Sequence, residues 1–333
     1  MKKKIACFGV RDYEIPFFQS LGEKYGYELD LNSPFLTNEN HQLALGYEVI
    51  MVRANCFLNR DSITNLYNSG LRYLLTRTVG YNHIDLAACK DLGIESAFVP
   101  GYSPNAIAEL AVTLSMMLLR NTAYMVSLTS QRDFRVTNQM FSKEIRNQTV
   151  GIIGCGRIGA TTAKLFKGLG ANVLGYDVYQ SDFAKQYLDF VELDELLAKS
   201  DVISLHMPHI VGVNDEFINK DLISKMKDGV IVVNTARGEL QNLSDLSEAV
   251  KSGKIAGLGI DVVANEKTLF FQKFDNKIEN QIFEDLVSLY PRVLITPHVG
   301  SSTDEALSNM IETSLQNMDE YLETGKCKNT LIK

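Results

Sequence analysis

The chain has 333 residues, 45% hydrophobic and 22% charged, a composition ordinary for a soluble globular protein and ample for two domains. A net charge of -7 argues against a dominant role in binding nucleic acid or anionic membrane, since those partners demand a concentrated basic surface. Asp12 and Glu14 interrupt the start too early for a secretory signal, and the apolar tract Leu110 to Leu119 is half a membrane span, so the expected location is cytoplasmic.

Short β-branched runs alternate with longer amphipathic stretches, the pattern of an α/β chain with parallel sheets. The first series of strands is expected at Lys4 to Gly9, Glu48 to Arg53, Tyr73 to Thr78 and Ser96 to Val99. "PNAIAELAVTLSMMLLR", Pro104 to Arg120, reads as a helix capped by Asn105 and apolar on nearly every face, hence buried on several sides. A second series follows at Thr149 to Gly154, Asn172 to Asp177, Asp201 to Met207, Gly229 to Ala236, Ala256 to Val263 and Arg292 to His298. A last helix starts at a Ser or Thr cap, carries Asp304 and Glu305 in its first turn, and stops at Gly325. Gly, Ser and Pro cluster near Gly101 to Pro104 and near Gly300, which mark the boundaries between 1–101 plus 300–333 and 102–299. Cys7, Cys56, Cys89, Cys155 and Cys327 are odd in number and lack any C-x-x-C pair, so free thiols are expected rather than disulfides or a metal site.

In "VGIIGCGRIG" the glycines Gly154, Gly156 and Gly159 form G-x-G-x-x-G between a strand and a helix. Asp177 ends the next strand, about 20 positions on, which is the context that makes this otherwise common pattern specific. Gly154 permits the tight turn, Gly156 lets the backbone approach a pyrophosphate, and Gly159 allows close packing of helix on strand. The helix N-terminus supplies unpaired N–H groups for the phosphates. Asp177 suits the ribose hydroxyls of NAD and repels a 2'-phosphate, and the following "VYQS" carries no cation for one, so NAD is expected over NADP.

Arg237, Glu266 and His298 stand at or just beyond the carboxyl ends of later strands, where an open parallel sheet binds its ligands. Arginine clamps a carboxylate bidentately. A histidine paired with a carboxylate keeps its cationic form near neutral pH and has a proton to give. Beside a nicotinamide, the set describes hydride transfer to a 2-oxo acid with a proton from the imidazole.

At these residues the chain resembles the D-2-hydroxyacid dehydrogenase family over essentially its full length, through "VGIIGCGRIG", "NTARG", "GIDVVANE" and "LITPHVGSST". The resemblance implies two Rossmann-like, doubly wound parallel-sheet domains with a cleft between them: 102–299 binding NAD, and 1–101 plus 300–333 binding substrate. It gives Arg237 the substrate carboxylate, His298 the general acid/base role and Glu266 its orientation. It places Asp261 on the nicotinamide and adds Arg157, Ile158, Met207, Pro208, Asn214, Thr235 and Ala236 as NAD contacts. Val79 and Gly80 would offer backbone N–H groups to the substrate carboxylate, and Tyr102 resembles a substrate-side tyrosine. The helix from Pro104 would serve as a dimer arm, making a homodimer the expected assembly.

Two departures stand out. After "NTARG" the family commonly continues Pro-Leu-Val-Asp, whereas here Glu239-Leu240-Gln241-Asn242 follows, and Gly300, Ser301 and Ser302 replace the aromatics frequent beyond the histidine of lactate enzymes. "VRANCFLN", "LRNTAY", "MFSKEIRN" and "LYPRVLITPHVGSSTDEA" resemble (R)-2-hydroxyglutarate dehydrogenases of amino-acid-fermenting anaerobes, where Arg53 would meet a second, distal carboxylate. 2-Oxoglutarate is therefore the expected substrate, with branched-chain, aromatic or lactate-type 2-oxo acids as alternatives; surface pairing of Arg53 competes with the first. Glu266 argues against a formate dehydrogenase, which has glutamine there. An NAD(H)-sensing corepressor of the C-terminal-binding-protein type is the alternative of another class.

Overall fold

A computed structural model describes residues 3–332. The chain divides into two compact units: one runs to Ser103 and resumes at Ser302, the other is Pro104–Ser301. The crossings thus fall at 103/104 and 301/302, rather than at the sequence boundaries 101/102 and 299/300. The physical reason is helical: the helix Pro104–Leu119 begins at its proline, so Asn105 lies inside it instead of capping it. At the second crossing Thr303 caps the helix Asp304–Thr324, its hydroxyl accepting from the Ala306 N–H, and Gly325 ends that helix in the left-handed conformation.

The first unit is built on β1 (Lys4–Phe8), β2 (Glu28–Asn32), β3 (Val49–Val52), β4 (Tyr73–Thr76) and β5 (Glu95–Ala97), in the order β2-β1-β3-β4-β5, all parallel. Central β3 is buried at every position, as expected of a strand covered on both faces. The C-terminal helix lays Ile311, Leu315, Met318 and Tyr321 against Ile5, Cys7, Val49 and Met51, which is why the two chain ends share one core.

The second unit carries β6 (Thr149–Ile153), β7 (Asn172–Tyr176), β8 (Asp189–Phe190), β9 (Val202–Leu205), β10 (Val230–Asn234), β11 (Ile255–Ile260) and β12 (Val293–Ile295). Their order is β12-β11-β10-β9-β6-β7-β8, again parallel, with connections crossing from the middle to either side. The helix Pro104–Leu119 packs Leu114 and Leu118 on the glycine face of β11, where a Cβ on Gly257 would come within 3.0 Å of Leu118. Beyond that helix, Val126, Phe134, Val136 and Phe141 are exposed.

All five cysteines are free and buried. Among the described residues, no helix is long and apolar enough to cross a membrane.

Candidate active site

In the second unit, the residues singled out from sequence follow the carboxyl ends of neighbouring strands. Asp177 follows β7, the glycine loop β6, Met207 and Pro208 β9, Thr235, Ala236 and Arg237 β10, Asp261 and Glu266 β11, and His298 β12. One edge of one sheet therefore runs from Asp177 to His298.

The glycine loop is held by contacts that only glycine fits. Gly154 adopts φ +90°, and a Cβ there would meet the Met207 nitrogen at 2.4 Å; one on Gly159 would meet the Gly154 carbonyl oxygen at 1.9 Å. A Cβ on Gly156, by contrast, would meet nothing within 4 Å, so the start of the helix Arg157–Gly168 stays open to a ligand. Asp177 accepts from the Cys155 N–H at 2.6 Å and the Tyr179 N–H at 2.9 Å, fixing its carboxylate beside a cavity of about 400 Å³ lined by Gly156, Arg157, Tyr179 and Phe183. Thr235 Oγ1 is buried with no partner among the described residues, an acceptor or donor left for something else. The loop after β9 is tied by Asn214, which donates to the Pro208 carbonyl and accepts from the Ile210 N–H. These features fit a dinucleotide.

At the other end of the edge, His298 Nδ1 lies 2.7 and 2.9 Å from the two Glu266 oxygens. Its Nε2 makes no hydrogen bond to a described residue. The His298 backbone is left-handed, φ +54°, and Asp261 fixes that turn. The Asp261 carbonyl accepts from the His298 N–H at 2.9 Å, while its carboxylate accepts from the Thr296 hydroxyl at 2.6 Å and from the Val299 and Gly300 N–H groups at 2.9 Å each. Burial raises the Asp261 carboxyl, and those donors act against the rise.

For His298, burial opposes the cation, but the hydrogen bond and charge of Glu266, with Asp261 behind it, outweigh burial and the repulsion of Arg237, so its pKa is raised. His206, also at a strand end, goes the other way: burial holds it at about 3, so it stays neutral. Composition could not tell the two apart, and a carboxylate partner does.

Arg237 is exposed, and no described carboxylate pairs with it. Its loop is clamped by two side chains that sequence reasoning left without a role. Asn234 donates to the Arg237 carbonyl and to Gln241 Oε1 at 2.9 Å each, and accepts from the Ala236 N–H; Gln241 in turn donates to the Val262 carbonyl. Gly238 is obligatory, because a Cβ would lie 2.0 Å from the Val263 carbonyl carbon. Gln241 stands in the stretch that departs from the family pattern, which was the available signal.

In the first unit, Arg53 follows β3 directly, and Val79 and Gly80 lie in the turn beyond β4, where the Thr78 hydroxyl donates to the Gly80 carbonyl at 2.7 Å. Among the described residues nothing accepts from the Val79 or Gly80 N–H. The Tyr102 carbonyl accepts from Asn309 of the C-terminal helix at 2.6 Å.

Residues 112–300 match the family described as D-isomer specific 2-hydroxyacid dehydrogenase, NAD binding domain. The chain is 40% identical over 331 residues to an aromatic 2-oxoacid reductase of Clostridium sporogenes, covering 99% of both. The chain belongs to this dehydrogenase family. It is also 38% identical over 326 residues to a D-lactate dehydrogenase of Lactiplantibacillus plantarum, covering 97% of both. A crystal structure of D-lactate dehydrogenase with NAD+ from Lactobacillus jensenii superposes with a TM-score of 0.90 at 32% identity, covering 99% of this chain and 100% of that one. The protein is thus an NAD-dependent D-2-hydroxyacid dehydrogenase that reduces 2-oxo acids.

Proposed function

We propose that His298 is the general acid of 2-oxo acid reduction, with Glu266 orienting it and Arg237 anchoring the substrate carboxylate. The observation that carries this is the two-oxygen contact of Glu266 with Nδ1, which leaves Nε2 to face the reacting oxygen. Bound NADH supplies the hydride. His298 gives its proton to the carbonyl oxygen as the alcohol forms, and Glu266 steadies the imidazolium before that transfer. Arg237, free of any described carboxylate, holds the carboxylate and polarises the adjacent carbonyl. Asp177, Gly156 and Thr235 receive the cofactor, with Arg157, Ile158, Met207, Pro208, Asn214, Ala236 and Asp261 completing its contacts; Val79, Gly80 and Tyr102 serve the substrate. Pro104–Ser301 is on this reading the cofactor domain and the other unit the substrate domain.

Arg53 selects a second carboxylate, so 2-oxoglutarate is the preferred substrate and (R)-2-hydroxyglutarate the product. A second reading has support of its own: the Clostridium sporogenes relative is named for aromatic 2-oxo acids, and small Ser301 and Ser302 stand where lactate enzymes frequently carry aromatics. NADH oxidation measured with 2-oxoglutarate, phenylpyruvate, 2-oxoisocaproate and pyruvate decides between them by kcat/KM. Preference for phenylpyruvate that survives Arg53→Met would replace the first reading by the second. His298→Gln tests the acid role: kcat should collapse while NADH binding persists, and an unchanged kcat would remove His298 from it. The exposed Val126, Phe134, Val136 and Phe141 support a homodimer, to be checked by light scattering.

A further inference from the structure

Among the described residues, Glu14 and Arg77 form the one ion pair with both side chains buried, 1% and 2% exposed. Arg77 Nη1 donates to Glu14 Oε1 at 2.6 Å and Nη2 to Oε2 at 3.3 Å, and Nη2 also reaches the Gly9 carbonyl at 3.0 Å. The Arg11 N–H adds a bond to Oε2 at 2.7 Å. Arg53 completes the group, its Nη1 3.8 Å from the same Oε2 and 3.5 Å from the Gly9 carbonyl. Gly9, Arg53 and Arg77 directly follow β1, β3 and β4, three neighbouring strands, so the cluster sits at the carboxyl edge of the sheet, where parallel sheets bind ligands.

The charges do not balance. One carboxylate faces two guanidiniums, and Arg77 alone neutralises it through two hydrogen bonds. The surplus positive charge belongs to Arg53, whose side chain is 29% exposed while its partners are sealed. At 3.8 Å, beyond hydrogen-bonding distance, Glu14 attracts the Arg53 guanidinium without occupying its donors.

We propose that Glu14 is a positioning residue for substrate selection: it aims the Arg53 guanidinium, and Arg77 cancels the Glu14 charge that would otherwise repel an incoming second carboxylate. This rests on the assignment of Arg53 to that carboxylate. It makes specificity a property of three residues, two of which never touch substrate.

The test uses the full-length enzyme and the ratio of kcat/KM for 2-oxoglutarate to that for phenylpyruvate. Arg53→Met should lower the ratio roughly 10- to 100-fold, the worth of a hydrogen bond to a charged group. Glu14→Asp keeps the buried charge and withdraws it from Arg53, and the double variant Glu14→Gln/Arg77→Met removes both buried charges together so that neither is stranded. Each should raise KM for 2-oxoglutarate several-fold, with kcat and the phenylpyruvate constants unmoved and the thermal melt cooperative. If Arg53→Met lowers the ratio and both Glu14 variants leave it intact, or if KM rises equally for both substrates, the role of Glu14 is overturned and that of Arg53 stands. If Arg53→Met leaves the ratio unchanged, the Arg53 reading falls and takes this inference with it.

Discussion

Glu266–His298 and Glu14–Arg77 are both a glutamate with a basic partner 2.6–2.7 Å away, each at the carboxyl edge of a parallel sheet, yet they are suited to opposite tasks. The first pair is open, 26% and 42% exposed; the second is sealed. An imidazole can lose its charge near neutral pH, and in an open site water then solvates the glutamate left behind. A guanidinium keeps its charge at any working pH, and in a sealed site either ion alone would be stranded. Exposure and the choice of base thus separate a pair suited to hand over a proton, the role proposed for His298, from one suited to hold geometry.

Breaking each pair in turn should expose the difference. His298→Gln should cut kcat for reduction by roughly 10²- to 10⁴-fold, the usual worth of a general acid, with little change in the denaturation midpoint. Arg77→Met should do the reverse, lowering unfolding free energy by about 3–5 kcal/mol in urea titrations because it takes from a buried carboxylate its one hydrogen-bonded cation among the described residues. Glu266→Gln should cost less than removing His298 and should move the pH profile. Without the glutamate the imidazole's pKa falls, so the decline of reduction with rising pH sets in at lower pH. Stability follows the same sign. The folded pKa is raised, so the pair's contribution is fully present below the unfolded value of about 6.5 and is lost as pH rises through the folded value. Glu266→Gln should flatten that dependence in melts recorded across the window. Smallest of all, Lys199→Ala breaks the exposed pair with Glu195, one helical turn away, and should cost no more than about 0.5 kcal/mol.

Legibility in the sequence tracks burial and chain distance. Strands such as Val49–Val52 and Val230–Asn234 are apolar throughout because both sheet faces are covered, and they stand out unaided. β2, "ELDLN", was not among the expected strands: it lies at an edge of its sheet, only half-buried, and its acidic residues read as solvent-facing. β8 is two residues long and offers no periodicity. The glycine loop and Asp177 form one local unit, so their spacing carries meaning; Arg237, Glu266 and His298 needed the sheet order to become neighbours. Glu14 and Arg77 are 63 residues apart, and nothing local to either announces a partner. The Asn234–Gln241 clamp was hidden for another reason, since an amide's partner depends on a turn that only the folded backbone defines.

The buried cysteines offer a clock. Burial pushes Cys7 and Cys155 up to about 12 and Cys89 and Cys327 to about 11, so hardly any reactive thiolate exists while the fold is closed. An alkylating reagent should therefore leave activity untouched on the time scale of turnover and modify the chain only as fast as its parts open. Cys155 lies between Gly154 and Gly156, so its labelling times the cofactor loop itself, and saturating NADH should slow that labelling more than the labelling of Cys89 in the other unit.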